Sequence, residues 1–239
     1  MEKLTPKYKR VLIKLSGEAL AGKAGHGLDN EVIGRVVEEI KKIHDAGVEV
    51  ALVIGAGNFW RGRQGKEMDR STADYMGMIA TVMNSLAMAE ALERAAMPAR
   101  VQSAIAMPAV AETYVLKQTL NHLKKGRVVI IAGGTGHPYC STDTAAALRA
   151  CEIGADMLLM AKNVDGIYDS DPKKNPDAKK YDHINYIDIV KNGIMAMDLT
   201  AATMCMENDV AALAFALDEK DSLIKAVCGQ KIGTVIDNK

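Results

Sequence analysis

Short, unbroken apolar runs alternate with stretches of helical periodicity along most of the chain. The runs have the length of strands and show no strict alternation of apolar and polar positions, which is typical of strands buried on both faces of a parallel sheet. They predict strands at residues 10–15, 48–54, 101–104, 128–132 and 157–160.

The stretches between these runs carry the start and stop signals of helices. The first predicted helix begins at Asp29 or Asn30, either of which can cap it, and ends at Gly47. A long helix rich in Met and Ala is predicted over residues 72–96, and a third over residues 110–125. Strands that alternate with helices predict an α/β fold with a doubly wound, mostly parallel sheet, whose ligands bind beyond the carboxyl ends of the strands.

Three segments interrupt this alternation. Residues 22–27 form a small glycine-rich insert, residues 55–70 are glycine-rich and basic, and residues 163–180 have the composition of turns, which predicts an ordered loop or hairpin. The sequence KIGTVI near the C-terminus predicts a last strand. Since no repeat or low-complexity linker divides the chain, we expect a single domain over residues 1–239.

Composition narrows the class of protein. With 239 residues and 49% hydrophobic content, the chain is long enough to bury a large core. Its 30 Lys and Arg balance 30 Asp and Glu, so no global charge favours nucleic acid or an anionic membrane surface. The sequence starts without an apolar leader and contains no run of about 18 apolar residues. We therefore expect a cytoplasmic protein with neither nucleic acid nor a membrane as partner.

Three familiar kinds of site fail on closer reading. The four cysteines are scattered without a CxxC pair, which predicts reduced thiols rather than disulfides or a zinc site. GEALAGKA, from Gly17 to Ala24, nearly matches the Walker A pattern, but Ala24 lacks the hydroxyl that holds Mg²⁺, and glycines follow where a helix has to start. GAGNFW, from Gly55, has Trp60 where a dinucleotide fingerprint needs its third glycine.

The ends of the first two strands are candidate anion sites. Lys14 interrupts an otherwise apolar strand, and a buried ammonium needs either a carboxylate or a phosphate as its partner. After the second strand, the glycines around Ala56 let the backbone approach an anion, and the guanidinium of Arg61 suits phosphate oxygens. Arg63, farther from the turn, is interpreted as a solvated arginine.

The Met-rich helix adds a carboxylate near its start. Asp74 lies in the predicted first turn, where it either stabilises the helix dipole or accepts hydrogen bonds from ribose hydroxyls. The methionines of this helix are interpreted as core or subunit-interface residues; they are Met76, Met78, Met83 and Met88.

The stretch GTGHPYCSTDTAAALRA, residues 134–150, joins a strand to a helix. Ser141 or Thr142 is a natural N-cap, which accounts for one hydroxyl of the cluster. Asp143 either caps the helix or lies near phosphates, where it orients lysines and Mg²⁺. Farther along, Tyr168 and the aspartates around it do not fit an EF-hand loop, so this segment is interpreted as a loop that binds a base and ribose.

Six motifs, read in order, resemble the bacterial uridylate (UMP) kinases of the amino acid kinase family. They are YKRVLIKLSGEAL, VIGAGNFWRG, GMIATVMNSLAM, GTGHPYCSTDTAAALRA, KNVDGIYDSDP and MDLTA. The resemblance implies a three-layer αβα sandwich around a mostly parallel sheet, without a P-loop. It also implies transfer of the γ-phosphoryl group of ATP to UMP, giving UDP and ADP, in pyrimidine nucleotide biosynthesis.

The resemblance also implies roles for individual residues. It assigns catalysis to Lys14, Arg61 and Asp143. It assigns ATP contacts to Lys14, Leu15, Ser16, Gly17, Gly57, Arg61, Lys162, Asn163, Tyr168 and Asp171. It assigns UMP contacts to Ala56, Asp74, Thr135, Gly136, His137, Pro138, Tyr139, Cys140, Ser141 and Thr142.

Regulation and assembly follow from the same resemblance. A GTP-activation segment falls on Gly22, Lys23, Ala24, Gly25, His26 and Gly27. The resemblance implies Mg²⁺ carried by ATP rather than by a protein metal site, GTP as activator, UTP as inhibitor, and a homohexamer. The N-terminal part then serves mainly UMP, and the part from about residue 150 mainly ATP.

Some positions depart from the family pattern, and two other functions stay open. Ala56 replaces a glycine, His137 an asparagine, and Cys140 and Ser141 an aromatic residue and a threonine; residues 207–217 also stray from the usual strand. The alternatives are a kinase of the same fold that acts on a carboxylate or carbamate, and a sensor that binds uridine nucleotides without turnover.

Overall fold

A computed structural model describes residues 5–61, 65, 67–172 and 174–239. Its strands are β1 (Arg10–Leu15), β2 (Glu49–Ile54), β3 (Ala99–Ser103), β4 (Glu112–Thr113), β5 (Val128–Ala132), β6 (Met157–Lys162), β7 (Ile167–Tyr168), β8 (Lys180–Tyr181), β9 (His183–Asn185), β10 (Ala212–Ala216) and β11 (Thr234–Asp237). Its helices are α1 (Asn30–Asp45), α2 (Arg70–Arg94), α3 (Leu116–Lys124), α4 (Thr142–Ile153), α5 (Tyr186–Asn192), α6 (Leu199–Glu207) and α7 (Ser222–Val227).

Within the described residues, a nine-stranded sheet runs in the order β4-β3-β5-β2-β1-β6-β10-β11-β9. Its neighbouring strands are parallel except for the antiparallel pair β10 and β11. Strand β1 is central and pairs with β2 on one side and with β6 on the other. The chain therefore adds the strands on the β2 side of β1 first and those on the β6 side later. The carboxyl ends of β1, β2, β5 and β6 therefore meet at one edge, where α/β sheets bind ligands.

Both faces of the sheet are buried under helices. Val11, Ile13 and Leu15 of β1 belong to the core that packs against α1, α2 and α7. Leu12 belongs to the core on the opposite face, which packs against α3, α4, α5 and α6. This arrangement confirms the predicted three-layer αβα fold and explains why the strands read as unbroken apolar runs.

The predicted helices are confirmed with one substantial correction. The carboxylate of Asp29 caps α1 by accepting from the backbone N–H of Glu31 and Val32, and α2 begins two residues before its predicted start, capped by Asp69. The third prediction, residues 110–125, was wrong in its first part because α3 begins only at Leu116. Residues 112–113 pair with β3 instead, so a tertiary strand contact outweighs the local helical spacing.

The irregular segments also follow the predictions. Strands β7 and β8 form an antiparallel hairpin that ends at Tyr181, one residue beyond the predicted segment 163–180, and β11 is the last strand predicted from KIGTVI. The near-Walker segment forms 3-10 turns at Gly17–Leu20 and Gly22–Ala24, and the next α-helix starts only at Asn30. Among the described helices, none is both long and apolar enough to cross a membrane.

Gly22 has a left-handed backbone and also lies against the side chain that caps α1. Alanine substitutions at Gly22 and Gly25 separate the two effects. Gly22 and Gly25 both have left-handed backbones, with φ of 56° and 71°. A Cβ at Gly22 would meet the carboxylate of Asp29, which caps α1, whereas a Cβ at Gly25 would have no atom within 4 Å.

We expect Gly25→Ala to lower the free energy of unfolding by about 1–2 kcal/mol, the cost of a left-handed alanine. Gly22→Ala is expected to cost a further ~1 kcal/mol, because it also displaces the helix cap. Urea unfolding of both variants measures the difference. Equal losses would show that the cap does not depend on the space left by Gly22.

Candidate functional site

A cavity of about 680 Å³ opens at the sheet edge where β1, β2 and β5 end. This volume and place are typical of ligand sites in α/β proteins. Its wall contains many of the predicted site residues: Lys14, Ser16, Gly17, Ala56, Gly57, Arg61, Asp74, Thr135, His137, Tyr139, Cys140, Ser141 and Thr142. The structure thus brings together segments that are far apart in the sequence.

Two lysines and one carboxylate form a cluster at the wall of this cavity, which Lys14 lines. In β1, Leu12 belongs to the core under α4, and alternation along the strand places Lys14 on the same face. In β6, Met160 and Lys162 repeat this pattern. The Nζ of Lys14 lies 2.8 Å from Oδ1 of Asp143, in the first turn of α4. The carboxylate partner that the buried lysine requires is therefore Asp143.

Mutual electrostatics sets the charge of this cluster. Burial works to raise the pKa of Asp143, but the positive charges of Lys14 and Lys162 and the hydrogen bond from Lys14 outweigh it, so the pKa is lowered. Burial lowers the pKa of Lys162, the charge of Lys14 lowers it further, and Asp143 opposes both. One carboxylate thus serves two ammonium groups, and an ionised cluster carries excess positive charge that suits a phosphate.

Two backbone loops face the cavity beside this cluster. The first follows β1 at Ser16 and Gly17, and the second follows β2 at Gly55 to Gly57. The loops are joined because the backbone N–H of Gly55 donates to the carbonyl of Leu15 at 2.9 Å. Leu15 itself is fully buried and lies outside the cavity wall. Arg61 reaches the cavity from the second loop and pairs with Glu18.

The opposite wall is organised around Asp74 on α2. The prediction that Asp74 lies in the first turn was wrong, because α2 begins at Arg70 and its first turn contains no acidic residue. Oδ2 of Asp74 accepts from Nε of Arg70 and from the backbone N–H of Tyr139, each at 2.8 Å. Tyr139 has a φ of 67°, which a residue with a side chain adopts at a cost, and the guanidinium of Arg70 lies 5.4 Å from its ring. The carboxylate thereby fixes a strained turn beside the cavity, a kind of feature that clusters at ligand sites.

The predicted cap of α4 is confirmed as Ser141. Its hydroxyl accepts from the backbone N–H of Asp143 at 2.9 Å and of Thr144 at 3.1 Å. Thr142 is the first helical residue and lines the cavity. The hydroxyls of this cluster are therefore divided between a structural cap and the cavity wall.

Asp198 was missed as a site residue, although its motif MDLTA had been recognised. It caps α6 by accepting from the backbone N–H of Ala201 at 2.8 Å, which is a signal readable in the sequence. Its carboxylate also accepts from the hydroxyls of Ser141 and Thr144 on α4, which no local pattern reveals. Other wall residues, which were not among the predicted nucleotide contacts, are Gly55, Trp60, Arg70, Gly77, Met78, Thr81, Gly134, Thr144 and Thr200.

Several predicted residues lie outside the cavity wall. They are Leu15, Gly136, Pro138, Asp143, Lys162, Asn163, Tyr168 and Asp171, together with the segment 22–27. Asp143 and Lys162 still act on the cavity through Lys14. Lys162 donates to the carbonyl of Ala196 at 2.5 Å, and the hydroxyl of Tyr168 donates to Asp165 at 2.6 Å. Arg63 is outside the described residues.

Known proteins share both the sequence pattern and the fold. Residues 9–213 match the amino acid kinase family. The chain is similar to a UMP kinase from Bacillus anthracis, with a TM-score of 0.95 and 39% identity over 98% of each chain. A UMP kinase from Ureaplasma parvum gives a TM-score of 0.91 and 37% identity over 97% of this chain and 100% of that chain. For a uridylate kinase from Archaeoglobus fulgidus the TM-score is 0.74 and the identity 27%, over 95% and 99%.

The pairing of Lys14 with Asp143 predicts strong energetic coupling between the two side chains. In a double-mutant cycle of Lys14→Met and Asp143→Asn, each single variant removes one member of the 2.8 Å pair and leaves the other mostly buried, whereas the double variant removes both; Lys162 is present throughout the cycle. We expect a coupling energy of about 1–3 kcal/mol in urea unfolding.

The exposed pair of Lys41 and Asp45, at 43% and 58% side-chain exposure, is the matched control. Its coupling is expected to be about 0.5 kcal/mol or less. A Lys14–Asp143 coupling no larger than that of this surface pair would contradict the electrostatic account of the site.

Proposed function

The chain belongs to the amino acid kinase family, and from this membership we propose that it transfers the γ-phosphoryl group of ATP to the phosphate of UMP, giving UDP and ADP. The observation that carries the proposal is the cavity itself, in which Lys14 and two glycine-containing loops face a wall built around Asp74. The similarity to UMP kinases over nearly the whole chain supports UMP as the acceptor.

Positioning and charge neutralisation account for this reaction. Two phosphorylated molecules must approach each other, and their mutual repulsion is the main obstacle. Lys14 would bind the transferring phosphoryl group, with Asp143 holding its ammonium in place and Lys162 adding positive charge. A catalytic base is unnecessary, because the second pKa of a phosphate monoester is near 6 and its oxygens are already largely ionised at neutral pH.

Backbone N–H groups and one arginine would complete the phosphate site. The loops at Ser16, Gly17 and Gly57 expose peptide groups that can donate to phosphate oxygens without the bulk of side chains. Arg61 pairs with Glu18 in the structure, so a bound phosphate would compete with Glu18 for its guanidinium. We propose Arg61 as a ligand of the transferring group.

We propose that Mg²⁺ enters with ATP. Carboxylate and phosphate oxygens are the ligands that Mg²⁺ prefers, and Asp143 is a carboxylate next to the proposed phosphate position. When bound, the ion would neutralise phosphate charge and fix the geometry of the phosphate chain. Asp143 would then orient Lys14 and present a carboxylate oxygen to the ion or to its bound water.

The two nucleotides are assigned to different parts of one domain. We propose that UMP binds between Asp74 and the residues 135–142, where carboxylate, hydroxyl and backbone groups face the cavity. The adenosine part of ATP is assigned to the segment after β6, with Asn163, Tyr168 and Asp171 as contacts. This assignment rests on the sequence motif, since these three residues lie outside the wall of the cavity.

Acceptor assays test the proposed activity. ADP release is measured with UMP, CMP, dCMP, acetylglutamate, aspartate and carbamate, each with and without GTP. UMP is expected to give the highest kcat/KM. Turnover of a carboxylate or carbamate in place of UMP would establish the first alternative function, and uridine-nucleotide binding without turnover the second.

Lys14→Met is expected to lower kcat/KM with UMP by about 10²-fold or more, the cost of losing one preorganised donor to the transferring group. Lys41→Met, on the exposed surface of α1, is the control that removes an ammonium and keeps activity. Full phosphotransfer by Lys14→Met would overturn the role assigned to Lys14.

We also propose a homo-oligomer, a hexamer according to the resemblance, with α2 contributing an interface. Apolar side chains of α2 are unusually exposed and form a surface that we call the α2 stripe: Tyr75, Met76, Ile79, Met83 and Leu86. Exposed apolar patches of this kind favour association.

The resemblance also supplies the proposed regulation and setting of the enzyme. Segment 22–27 is assigned to GTP activation, and UTP is assigned as inhibitor. The enzyme is proposed to act in the cytoplasm in pyrimidine nucleotide biosynthesis.

Ile79→Lys combined with Met83→Lys is expected to reduce the oligomer mass measured by light scattering, because two charges would be buried in the interface. Met195→Lys is the matched control, since Met195 is 95% exposed and lies outside the α2 stripe. A wild-type monomer, or an oligomer of unchanged mass in the double variant, would refute an interface on α2.

A further inference from the structure

Two asparagines form a buried amide pair beneath the glycine-containing loops of the cavity. Asn58 follows the loop after β2, and Asn84 lies in the middle of α2; they are 3% and 0% exposed. Nδ2 of Asn58 donates to Oδ1 of Asn84 at 2.9 Å, and Nδ2 of Asn84 donates to Oδ1 of Asn58 at 2.8 Å. Neither side chain belongs to the cavity wall, and the proposed reaction assigns neither a role.

The second N–H of each amide reaches the backbone of a different loop. Nδ2 of Asn84 donates to the carbonyl of Gly55 at 2.7 Å, and Nδ2 of Asn58 donates to the carbonyl of Gly27 at 2.7 Å. The backbone N–H of Gly27 in turn donates to the carbonyl of Asn58 at 3.0 Å. All the amide donors are therefore used, and the pair links α2 to two loops at once.

The first phosphate loop rests on the same pair. A Cβ placed at Gly17 would lie 2.5 Å from Oδ1 of Asn58 and equally close to the carbonyl oxygen of Gly55. No real Cβ tolerates such a distance to an oxygen, so the backbone of Gly17 packs directly on the amide pair. The pair thus supports the loops after both β1 and β2.

The hydrogen bond to Gly55 has a directional consequence for the cavity. In a trans peptide the C=O and the following N–H point in opposite directions. Asn84 holds the carbonyl of Gly55 toward the buried amide pair, so the N–H of Ala56, in the same peptide plane, is directed away from that pair. Ala56 lines the cavity, where an N–H is a donor for an anion.

We propose that Asn58 and Asn84 are positioning residues that orient the Gly55–Ala56 peptide toward a phosphate in the cavity. This inference rests on the proposed function, because it takes the ligand of the loop to be a phosphate. An apolar pair of similar volume would fill the same space, but it would leave the direction of that peptide unspecified.

The decisive variant is Asn84→Asp, which keeps the shape of the side chain and removes its donors to Gly55 and Asn58. Asn58→Asp removes the donors to Gly27 and Asn84 instead, and so tests the link to segment 22–27. The matched control is Gln102→Glu, the same exchange of amide for carboxylate at a fully buried position outside the cavity wall. Asn84→Ser is measured beside Asn84→Asp because it removes the amide donors without adding a charge. A similar loss of kcat in both variants would come from the lost hydrogen bonds and not from repulsion of phosphate by a carboxylate.

Two measurements separate positioning from a general loss of stability. With UMP and ATP at temperatures well below unfolding, we expect Asn84→Asp to lower kcat about 10²-fold, the cost of misplacing a group by about 1 Å. Most of the loss should lie in kcat rather than KM. In the free protein, backbone hydrogen exchange at residues 55–58 should become faster. Gln102→Glu should lower the melting temperature yet keep kcat and the exchange at 55–58.

Failure of the inference and failure of the proposed function give different results. If wild type phosphorylates UMP and Asn84→Asp loses no more kcat than Gln102→Glu, the positioning role is overturned. If wild type does not phosphorylate UMP, the proposed function fails, and the pair is judged by hydrogen exchange and by calorimetric binding of ATP. Unchanged exchange at 55–58 in Asn84→Asp would then overturn the inference, and faster exchange with weaker ATP binding would support it.

Discussion

The ion pair of Lys14 and Asp143 is the interaction on which the site depends. Lys14 lies in the central strand of a sheet covered on both faces, where an ammonium is tolerated only beside negative charge. Asp143 supplies one negative charge to two lysines, since Lys162 acts on the same carboxylate. The two lysines thus share one carboxylate, and a cluster of two lysines and a single carboxylate suits an anionic ligand.

The parallel sheet brings the other parts of the site to this pair. Because neighbouring strands β1, β2, β5 and β6 run in the same direction, their carboxyl ends reach one edge, and each following loop adds its backbone there. Alternation within β1 and β6 then decides which side chains share a face with α4. Strand direction and register thus decide which side chains are grouped around Lys14. The glycines let the loop backbones approach the cavity closely.

The sequence predicted those features that depend on local patterns. Strands β1 and β5 match their predicted bounds, and Ser141 and Asp29 are the expected caps, because burial and capping leave signals within a few residues. The partner of Lys14 was left open between a carboxylate and a phosphate, since nothing local connects it to Asp143. The first part of the third predicted helix failed for the same reason: its pairing with β3 is a tertiary contact.

Asn84 shows most clearly what such patterns leave out. In the sequence it is one polar residue of a Met-rich helix, and its partners Asn58 and Gly55 lie more than a helix length away along the chain. A neutral amide pair also suits this position physically. A buried carboxylate beneath the loop would repel the phosphates that Lys14 attracts, whereas amides fix the direction of a peptide without adding charge. The lysines therefore supply the positive charge of the site, and the asparagines set the direction of the Gly55–Ala56 peptide. A neutral substitution of an asparagine can alter the peptide without directly changing the charge.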